Sequence, residues 1–177
     1  MAVLPLVIAP DPRLNTPSVP VEKITDETRA LVNDLIETMH ATGGIGLAAV
    51  QVGVHLRILV MDTDRGSERY EDGAINEEDS NPICMINPEI ITESDESNIY
   101  EEGCLSFPGQ YANVSRPKCV TVRYTDEHNN EHTLECDELA ATCVQHEIDH
   151  LDGIVFVDHI SRIKRDMILR KLRKAKK

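Results

Sequence analysis

The sequence predicts an α+β fold, in which mostly antiparallel sheets pack around a metal-binding helix and a further helix ends the chain. Three observations lead to this class: an amphipathic helical segment near the start, a central series of short strand segments, and two helical segments at the end. With 177 residues, of which 41% are hydrophobic, the chain can bury a core as one domain, residues 1–177. Because aromatic residues make up only 3%, that core must be mainly aliphatic.

Two helices are predicted from their apolar periodicity and their end signals. The first runs from Asp26 to about Thr42, where two glycines follow and end it. Its apolar face consists of Leu31, Val32, Leu35, Ile36 and Met39. The last helix begins at Ser161 as its cap, and its core side is expected to carry Ile163, Met167, Ile168 and Leu172.

Short runs rich in apolar and β-branched residues predict the strands between these helices. They lie at 56–62, 83–91, 99–105, 119–125 and 132–137, and residues 154–157 form a further short extended segment. The last two strands alternate and flank a polar turn, which indicates a hairpin. Residues 64–81 are polar and strongly acidic, so we expect a loop there.

The charge of the chain is distributed unevenly. The net charge is −13, which argues against nucleic-acid binding by the whole surface. Residues 161–177 nevertheless contain nine Lys or Arg and one Asp, so this basic C-terminal helix carries +8 and the rest of the chain −21. Nine basic residues on one helix suit contact with a phosphate backbone such as that of RNA, and the alternative is a solvated, amphipathic helix end that is basic partly because of its own dipole.

The remaining composition indicates a cytoplasmic protein. The five cysteines are an odd number without a Cys-x-x-Cys pair, as expected for free thiols in a reducing compartment. The first residues show no pattern of a secretory signal, and no apolar run approaches the length of a membrane span, so no membrane contact is expected. Nothing in the sequence requires more than a monomer.

The pattern His146-Glu147-Ile148-Asp149-His150 predicts a metal centre on the helix that follows Asp137. Two histidines four residues apart project from one helical face and can share an ion, while Glu147 can act on a bound water. A third protein ligand is needed, and no Glu follows Glu147 that could serve. Cys104, which follows a glycine at a strand end, suits a thiolate ligand, although a buried apolar thiol is the alternative.

Three stretches together resemble the signature motifs of the peptide deformylases, in the same order. They are Gly44-Ile45-Gly46-Leu47-Ala48-Ala49-Val50-Gln51, Glu102-Gly103-Cys104-Leu105-Ser106 and the His146–His150 pattern. Residues 10–14 also resemble the N-terminal turn of that family, and the resemblance extends from about residue 4 to residue 172.

The resemblance implies hydrolysis of the formyl group from the N-terminal formyl-methionine of newly synthesised polypeptides, with release of formate. It implies a divalent metal held by Cys104, His146 and His150, with Fe²⁺ expected and Zn²⁺, Ni²⁺ or Co²⁺ as possible replacements. A metal-bound water would be the nucleophile and Glu147 the general base and acid. The Gln51 amide and the Leu105 backbone N–H would stabilise the oxyanion.

Further site residues follow from the same resemblance. Substrate contacts are implied for Gly44, Ile45, Gly46, Gly103, Leu139, Thr142 and Cys143, and Cys143 is equally well explained as part of the helix core. Glu102 and Arg116 are expected to pair and brace the metal loop, or to form an ordinary surface ion pair. Tyr111 occupies a position where many family members have Arg, which leaves the grip on the peptide beyond methionine open.

Two other activities and one structural role compete with this interpretation. A metallopeptidase of the His-Glu-x-x-His type would need a downstream ligand motif, which the sequence lacks. A deformylase-like protein acting on another acyl substrate remains compatible with Tyr111. A purely structural metal site usually has four protein ligands, and it leaves Glu147 without a role.

Overall fold

The computed structural model describes residues 2–64 and 80–175. The helices are α1 (Asp26–Ala41), α2 (Glu138–Leu151) and α3 (Arg162–Ala175). The strands are β1 (Gly46–Ala48), β2 (Ile58–Met61), β3 (Ile83–Glu93), β4 (Ser97–Gly103), β5 (Tyr111–Pro117), β6 (Cys119–Thr125) and β7 (Glu131–Asp137). Short 3₁₀ turns lie at Pro12–Asn15, Ala49–Val52 and Phe156–His159.

The strands form two antiparallel sheets on either side of α2. The larger sheet has the order β1-β2-β3-β6-β7, and β4 pairs with β5 in a separate ribbon. Each strand pair in both sheets is antiparallel. Helix α2 contacts β1, β2 and β7 of the larger sheet and β5 of the ribbon. The predicted α+β class, with the helix of the His-Glu-x-x-His pattern between sheets, is therefore confirmed.

The larger sheet is covered on both faces where β2 lies, which explains the continuous apolar sequence of that strand. Ile58 and Val60 pack in one cluster with Leu35 of α1, whereas Leu59 and Met61 pack in another cluster with residues of α2. A strand buried on both faces has no polar face, so its sequence does not alternate. The β2 strand is thereby fixed in register, and it supports both α1 and α2.

A third apolar cluster lies where the chain ends meet the ribbon. It joins the N-terminal segment with the loop after β4, strand β5, the turn at 155–157 and α3. Its members are Val7, Ala9, Leu14, Phe107, Val114, Val155, Phe156, Val157, Ile168 and Leu172. This cluster lies behind the loop that carries Cys104, which itself packs against it.

The first helix was predicted correctly, including its ends. The Thr25 hydroxyl accepts a hydrogen bond from the Thr28 N–H, and the Thr28 hydroxyl accepts one from the Thr25 N–H. The helix therefore starts with a capping box. Gly43 follows the last turn at φ 69°, a conformation that glycine adopts at little cost. Helix α2 begins directly after Asp137 as predicted, and Asp137 occupies the cap position, but its side chain makes no capping hydrogen bond.

Strand β5 was not predicted, and the strand predicted at 99–105 ends two residues early. In β5 the inward positions are Ala112, Val114 and Arg116, so a charged residue interrupts the apolar alternation. Strand β4 ends at Gly103 because the Phe107 N–H donates to the Cys104 carbonyl and turns the chain. The predicted hairpin at 119–137 is confirmed, with β6 and β7 in register.

Three other sequence-based expectations have different outcomes. The predicted strand 56–62 is confirmed with shorter bounds, Ile58–Met61. The prediction of an extended segment at 154–157 is wrong beyond Val155, since Phe156 begins a 3₁₀ turn whose Asp158 carboxylate accepts from the Val155 N–H. Most of the predicted acidic loop, residues 65–79, lies outside the described residues.

The core side of α3 differs from the prediction. Ile168 and Leu172 are buried as expected, but Ile163 is 76% exposed and Met167 54% exposed. Ile163 lies five residues before Ile168, roughly 140° away around a helix of 3.6 residues per turn. Only a narrow stripe of α3 faces the core, so Ile163 and Met167 point to solvent.

In the ranges 2–64 and 80–175 no helix has the length and apolarity that a bilayer span requires.

The two sides of the molecule provide a matched test of core packing. Met39 in α1 is fully buried, and we expect Met39→Ala to lower the free energy of unfolding by about 2–5 kcal/mol, because it removes buried methylenes and leaves a cavity. Met167→Ala in α3 should stay within about 0.5 kcal/mol of the parent. Urea denaturation followed by circular dichroism measures both. Equal losses for the two variants would contradict the packing of α1 against the larger sheet.

Candidate metal centre and active site

A cleft of about 610 Å³ separates the free edge of β4 from the segment 42–46, and residues of α2 form one wall. Twelve of the thirteen predicted site residues line it: Gly44, Ile45, Gly46, Gln51, Gly103, Cys104, Leu105, Leu139, Thr142, Cys143, His146 and Glu147. The thirteenth, His150, is fully buried next to Cys104. Three stretches that are remote in sequence therefore meet in one place.

Cys104, His146 and His150 form a group that could hold a metal ion. One ligand atom from each residue lies within 4.8 Å of the others, and no other such group occurs in the described parts of the chain. The Cys104 Sγ lies 3.2 Å from the His150 Nε2. Both histidines are buried, so these donors are removed from competing water. A thiolate and two imidazoles are a ligand set suited to Zn²⁺ and other divalent transition metals.

The loop around Cys104 is positioned by backbone hydrogen bonds to the N-terminal segment. The Ala9 N–H donates to the Ser106 carbonyl at 2.9 Å, and the Val7 N–H donates to the Gln51 carbonyl at 2.7 Å. The N-terminal segment thus links the loop after β4 to the 3₁₀ turn that carries Gln51. The thiol and the amide keep a fixed separation because a single extended segment supports both.

The two histidines differ in their electrostatic surroundings. Burial, together with the charges of His146 and Arg116, lowers the pKa of His150 well below its usual value, so its ring is the neutral form that binds metals. Burial also opposes protonation of His146, but its hydrogen bonds to Cys104 and Glu102 outweigh burial and raise its pKa. A cation near the Cys104 sulfur would displace the proton from this ring.

A buried chain of charges holds His146 in place. The His146 Nδ1 lies 2.9 Å from the Glu102 Oε2, and Glu102 accepts two hydrogen bonds from Arg116, at 2.6 and 3.1 Å. Arg116 also donates to Asp149 at 2.8 Å, and Asp149 contacts His159 at 2.7 Å. The predicted pairing of Glu102 with Arg116 is confirmed, and the pair is buried rather than on the surface.

The charge chain determines the protonation state of Glu102. Burial opposes its ionisation, but the hydrogen bonds from His146 and Arg116 prevail and lower its pKa to about 2. Ionised Glu102 fixes the orientation of the His146 ring, which leaves Nε2 directed toward the site. Asp149 is tied to Arg116, so it anchors α2 and does not belong to the candidate ligand group.

Glu147 has the properties of a residue that exchanges protons. It lines the cleft, and burial is the main cause that raises its pKa to about 7. Its Oε2 atom is buried and has no hydrogen-bond partner among the described residues. A carboxyl group with a pKa near neutrality can both take up and release a proton in this pH range.

Gln51 is held by its own turn and directed at the candidate ligand. Its Oε1 accepts from the Ala48 N–H at 2.8 Å, which orients the amide, and its Nε2 donates to the Cys104 Sγ at 3.5 Å. The same Nε2 donates to the Ser106 Oγ at 3.3 Å. Sequence reasoning did not single out Ser106, although its position two residues after Cys104 on a sharply turning loop is a usable signal.

The segment opposite β4 approaches α2 so closely that only glycine fits at position 46. A Cβ atom built on Gly46 would lie 2.5 Å from the Glu147 Oε1 and 2.8 Å from the Cys143 Sγ. Cys143 belongs both to the core cluster and to the cleft wall, so its two sequence interpretations are compatible. Sequence reasoning missed several other lining residues, namely Thr42, Gly43, Tyr100, Glu101, Phe107, Pro108, Gly109 and Gln110.

Known proteins resemble this chain over nearly its whole length. The family model described as polypeptide deformylase matches residues 3–166. The peptide deformylase of Bartonella henselae is 49% identical over 177 residues, which cover 100% of this chain and 95% of the relative. The peptide deformylase of Rhizobium meliloti is 46% identical over 177 residues, with 100% and 96% covered.

Solved structures resemble the fold to the same extent. The crystal structure of peptide deformylase from Ehrlichia chaffeensis matches with a TM-score of 0.90 at 46% identity, covering 99% of this chain and 97% of that chain. A crystal structure of that organism's enzyme in complex with actinonin matches with a TM-score of 0.89 at 45% identity, with 99% and 98% covered.

The buried charge chain yields a test that does not depend on activity. Arg116→Leu leaves Glu102 buried without its partner, and we expect the free energy of unfolding to fall by about 3–5 kcal/mol. Arg123→Leu breaks an exposed pair with Glu89 and should cost at most about 1 kcal/mol. Urea denaturation at neutral pH compares the two variants. A loss for Arg116→Leu no larger than that for Arg123→Leu would show that the pair does not stabilise the fold.

Proposed function

The chain belongs to the peptide deformylase family, and from this membership we propose that it hydrolyses the formyl group from N-formyl-methionine at the start of nascent polypeptides. The observation that carries the proposal is the convergence of Cys104, His146, His150 and Glu147 at one cleft. The products are formate and a polypeptide with a free amino terminus.

We propose that Cys104, His146 and His150 hold one divalent metal ion, with Fe²⁺ as the expected ion. The donor set fits such an ion, because one thiol and two imidazoles converge and the pKa of His150 keeps its ring neutral. A metal bound there supplies Lewis-acid chemistry, which lowers the pKa of a water and polarises a carbonyl group. The donor set also accepts zinc, nickel or cobalt.

Glu147 is the proposed carrier of the proton during the reaction. Its carboxylate accepts a proton from a water molecule in the cleft, and the oxygen of that water attacks the formyl carbon. The carbon–nitrogen bond then breaks, and Glu147 returns the proton to the departing amine. Burial raises the pKa of this carboxyl group, which favours a group that can both accept and return a proton.

Two donors are proposed to stabilise the negative charge that develops on the formyl oxygen. The Gln51 amide is already oriented by its bond to the Ala48 N–H, so little reorganisation accompanies its use. The Leu105 backbone N–H belongs to the residue next to Cys104 and follows the end of β4. Both groups lie on elements braced by the N-terminal segment, which keeps the donors fixed during the reaction.

The peptide is proposed to bind as an added strand between two unpaired edges. Among the described strands, β1 pairs only with β2, and β4 pairs only with β5. Each of β1 and β4 therefore has one unpaired edge toward the cleft. An extended peptide can pair with such edges through its backbone. The methionine side chain then enters the apolar wall formed by Ile45, Leu139, Thr142, Cys143 and the His146 ring.

We propose that the reaction takes place in the cytoplasm, where nascent polypeptides emerge, and that the basic α3 contacts ribosomal RNA. Arg170, Lys171 and Lys174 are exposed, whereas Ile168 and Leu172 of the same helix are buried. Clustered cationic side chains bind phosphate backbones in a salt-dependent manner. The free state of all five cysteines agrees with a reducing compartment.

Replacement of Glu147 tests the proposed chemistry directly. Glu147→Ala should retain the metal, because the ligands are unchanged, but lower formate release from an N-formyl-Met tripeptide by about 10²–10⁴-fold. The protein is loaded with Fe²⁺ or Ni²⁺ without oxygen, and the bound metal is measured by elemental analysis. Cys104→Ala serves as the matched variant and should lose metal as well as activity.

The control substrate is the N-acetyl-Met tripeptide, which should not react. A chelator should stop formate release by the parent enzyme, and added metal should restore it. Near-parental turnover by metal-loaded Glu147→Ala would refute the proton-transfer role. Hydrolysis of the acetyl peptide but not the formyl peptide would point to a different acyl substrate, and cleavage of internal peptide bonds would point to a peptidase.

Ribosome docking makes a separate prediction. Changing Arg170, Lys171 and Lys174 to Gln should weaken co-sedimentation with ribosomes, since fewer phosphates are neutralised, and should make the remaining binding less sensitive to salt. Hydrolysis of a small peptide should be unaffected. A variant with the exposed residues Arg13, Lys23 and Arg123 changed to Gln also removes three positive charges and controls for a general loss of positive charge. Binding of all three proteins to the same extent would eliminate α3 as the docking element.

A further inference from the structure

We propose that Glu101 and Tyr111 form a rim site at the cleft that selects a positively charged side chain, Lys or Arg, directly after the formyl-methionine. This inference rests on the proposed function, because it assumes that an extended N-formyl-Met peptide lies along β4. It adds a preference for one chemical class of nascent chain.

The side chains of β4 alternate between two different environments. Tyr100 and Glu102 point toward α2, where they bind Glu138 and His146. Glu101 points the other way and is exposed, yet it still lines the cleft because the strand forms its edge. Strand β4 therefore presents a carboxylate to the outer rim at the point where a peptide would run.

Tyr111 completes this rim from the neighbouring strand. It pairs with Gly103 in the register of β4 and β5, and its ring lies directly over that glycine. A Cβ on Gly103 would lie only 2.6 Å from the Tyr111 Cε1, so the missing side chain makes room for the ring. The ring is nevertheless exposed, at 64% for the residue, and lines the cleft. Glu101 and Tyr111 are diagonal neighbours on one face, a spacing that long side chains can bridge.

The charges around the cleft have one sign. Among the described residues that line it, none is Lys or Arg, whereas Glu101, Glu102 and Glu147 are acidic. Glu102 is neutralised by Arg116, and Glu147 is buried. Glu101 is thus the carboxylate that a side chain at the outer rim would meet. A carboxylate beside an exposed aromatic face attracts Lys or Arg through an ion pair and a cation–π contact.

The geometry of an extended peptide determines which residue of the substrate contacts the rim site. Successive side chains of a strand point in opposite directions. If the methionine side chain enters the wall of Leu139, Thr142 and Cys143 on the α2 side, the next side chain points outward. It then lies on the face that carries Glu101 and Tyr111, so the second residue of the substrate is the one selected.

The test measures the hydrolysis of three substrates by the metal-loaded enzyme: N-formyl-Met-Lys-Ser, N-formyl-Met-Gln-Ser and N-formyl-Met-Glu-Ser. We expect kcat/KM to be about threefold to tenfold higher for Lys than for Gln, and lower again for Glu, as exposed charge and cation–π contacts provide. The differences should shrink as the salt concentration rises. They should appear in KM rather than in kcat, because the contact is remote from the formyl group.

Substitutions identify the residues responsible. Glu101→Gln should bring the Lys and Glu substrates close together, and Glu101→Lys should reverse their order. Tyr111→Phe keeps the aromatic face and should keep the preference, whereas Tyr111→Leu should reduce it. Glu131→Gln removes one exposed carboxylate outside the cleft and serves as the control for net charge.

Two kinds of failure are distinguishable. Equal kcat/KM for all three peptides, or a preference that survives Glu101→Lys, would overturn the rim site while leaving the deformylase activity established. A preference that changes to the same extent in Glu131→Gln would assign it to the overall charge of the enzyme and would also overturn the rim site. Absence of formate from every peptide would instead contradict the proposed function.

Discussion

The site depends on one interaction, the buried pairing of Arg116 with Glu102. Arg116 comes from β5, Glu102 from β4, and Asp149, its other partner, from α2. The same Glu102 holds the His146 ring. A single guanidinium therefore connects the ribbon to the helix and orients a candidate metal ligand. Because buried charges are stable only when each is paired, the packing of these three elements and the geometry of the site cannot vary independently.

The rest of the fold places apolar support around this polar centre. The β1 and β2 strands of the larger sheet lie between α1 and α2, and β2 is buried on both faces. The ribbon is narrow and depends on the third cluster, in which Phe107 packs edge-on against Phe156, and Phe156 in turn stacks near His146. Rigid aliphatic layers hold the helix, while aromatic contacts hold the loop that carries Cys104.

The parts of this molecule that could be predicted are those in which local sequence and tertiary structure agree. Helix α1 has a regular apolar face and glycines at its end, so its bounds follow from local rules. Strand β5 escaped prediction because Arg116 occupies an inward position, and only the tertiary pairing with Glu102 makes that position favourable. The exposure of Ile163 and Met167 could not be predicted either. Periodicity indicates the apolar face of a helix but not how much of that face a neighbouring element covers.

The residues of the candidate site were easier to select from the sequence than some elements of the fold, for a chemical reason. A candidate metal ligand must offer a suitable donor atom, and a position of close backbone contact requires glycine. Both requirements can be recognised from the type of a single residue. Ser106 and the rim residue Glu101 were missed because their roles arise from neighbours that only the folded chain brings close. Tyr111 stood out as a departure from the family pattern, but its contact with Gly103 required the register of β4 and β5.

The two free strand edges that face each other across the cleft also restrict when a substrate can be processed. Unpaired edges can associate with other sheets, and here β1 is only three residues long and both edges line a cleft whose charged side chains include three glutamates. If the substrate pairs with these edges as proposed, a single extended chain end can use them, whereas a segment that is already paired within a folded domain cannot. A chain end can therefore enter the cleft only after it leaves its site of synthesis and before it becomes part of a folded structure. The shape of the cleft makes the enzyme a competitor of folding for the same few residues.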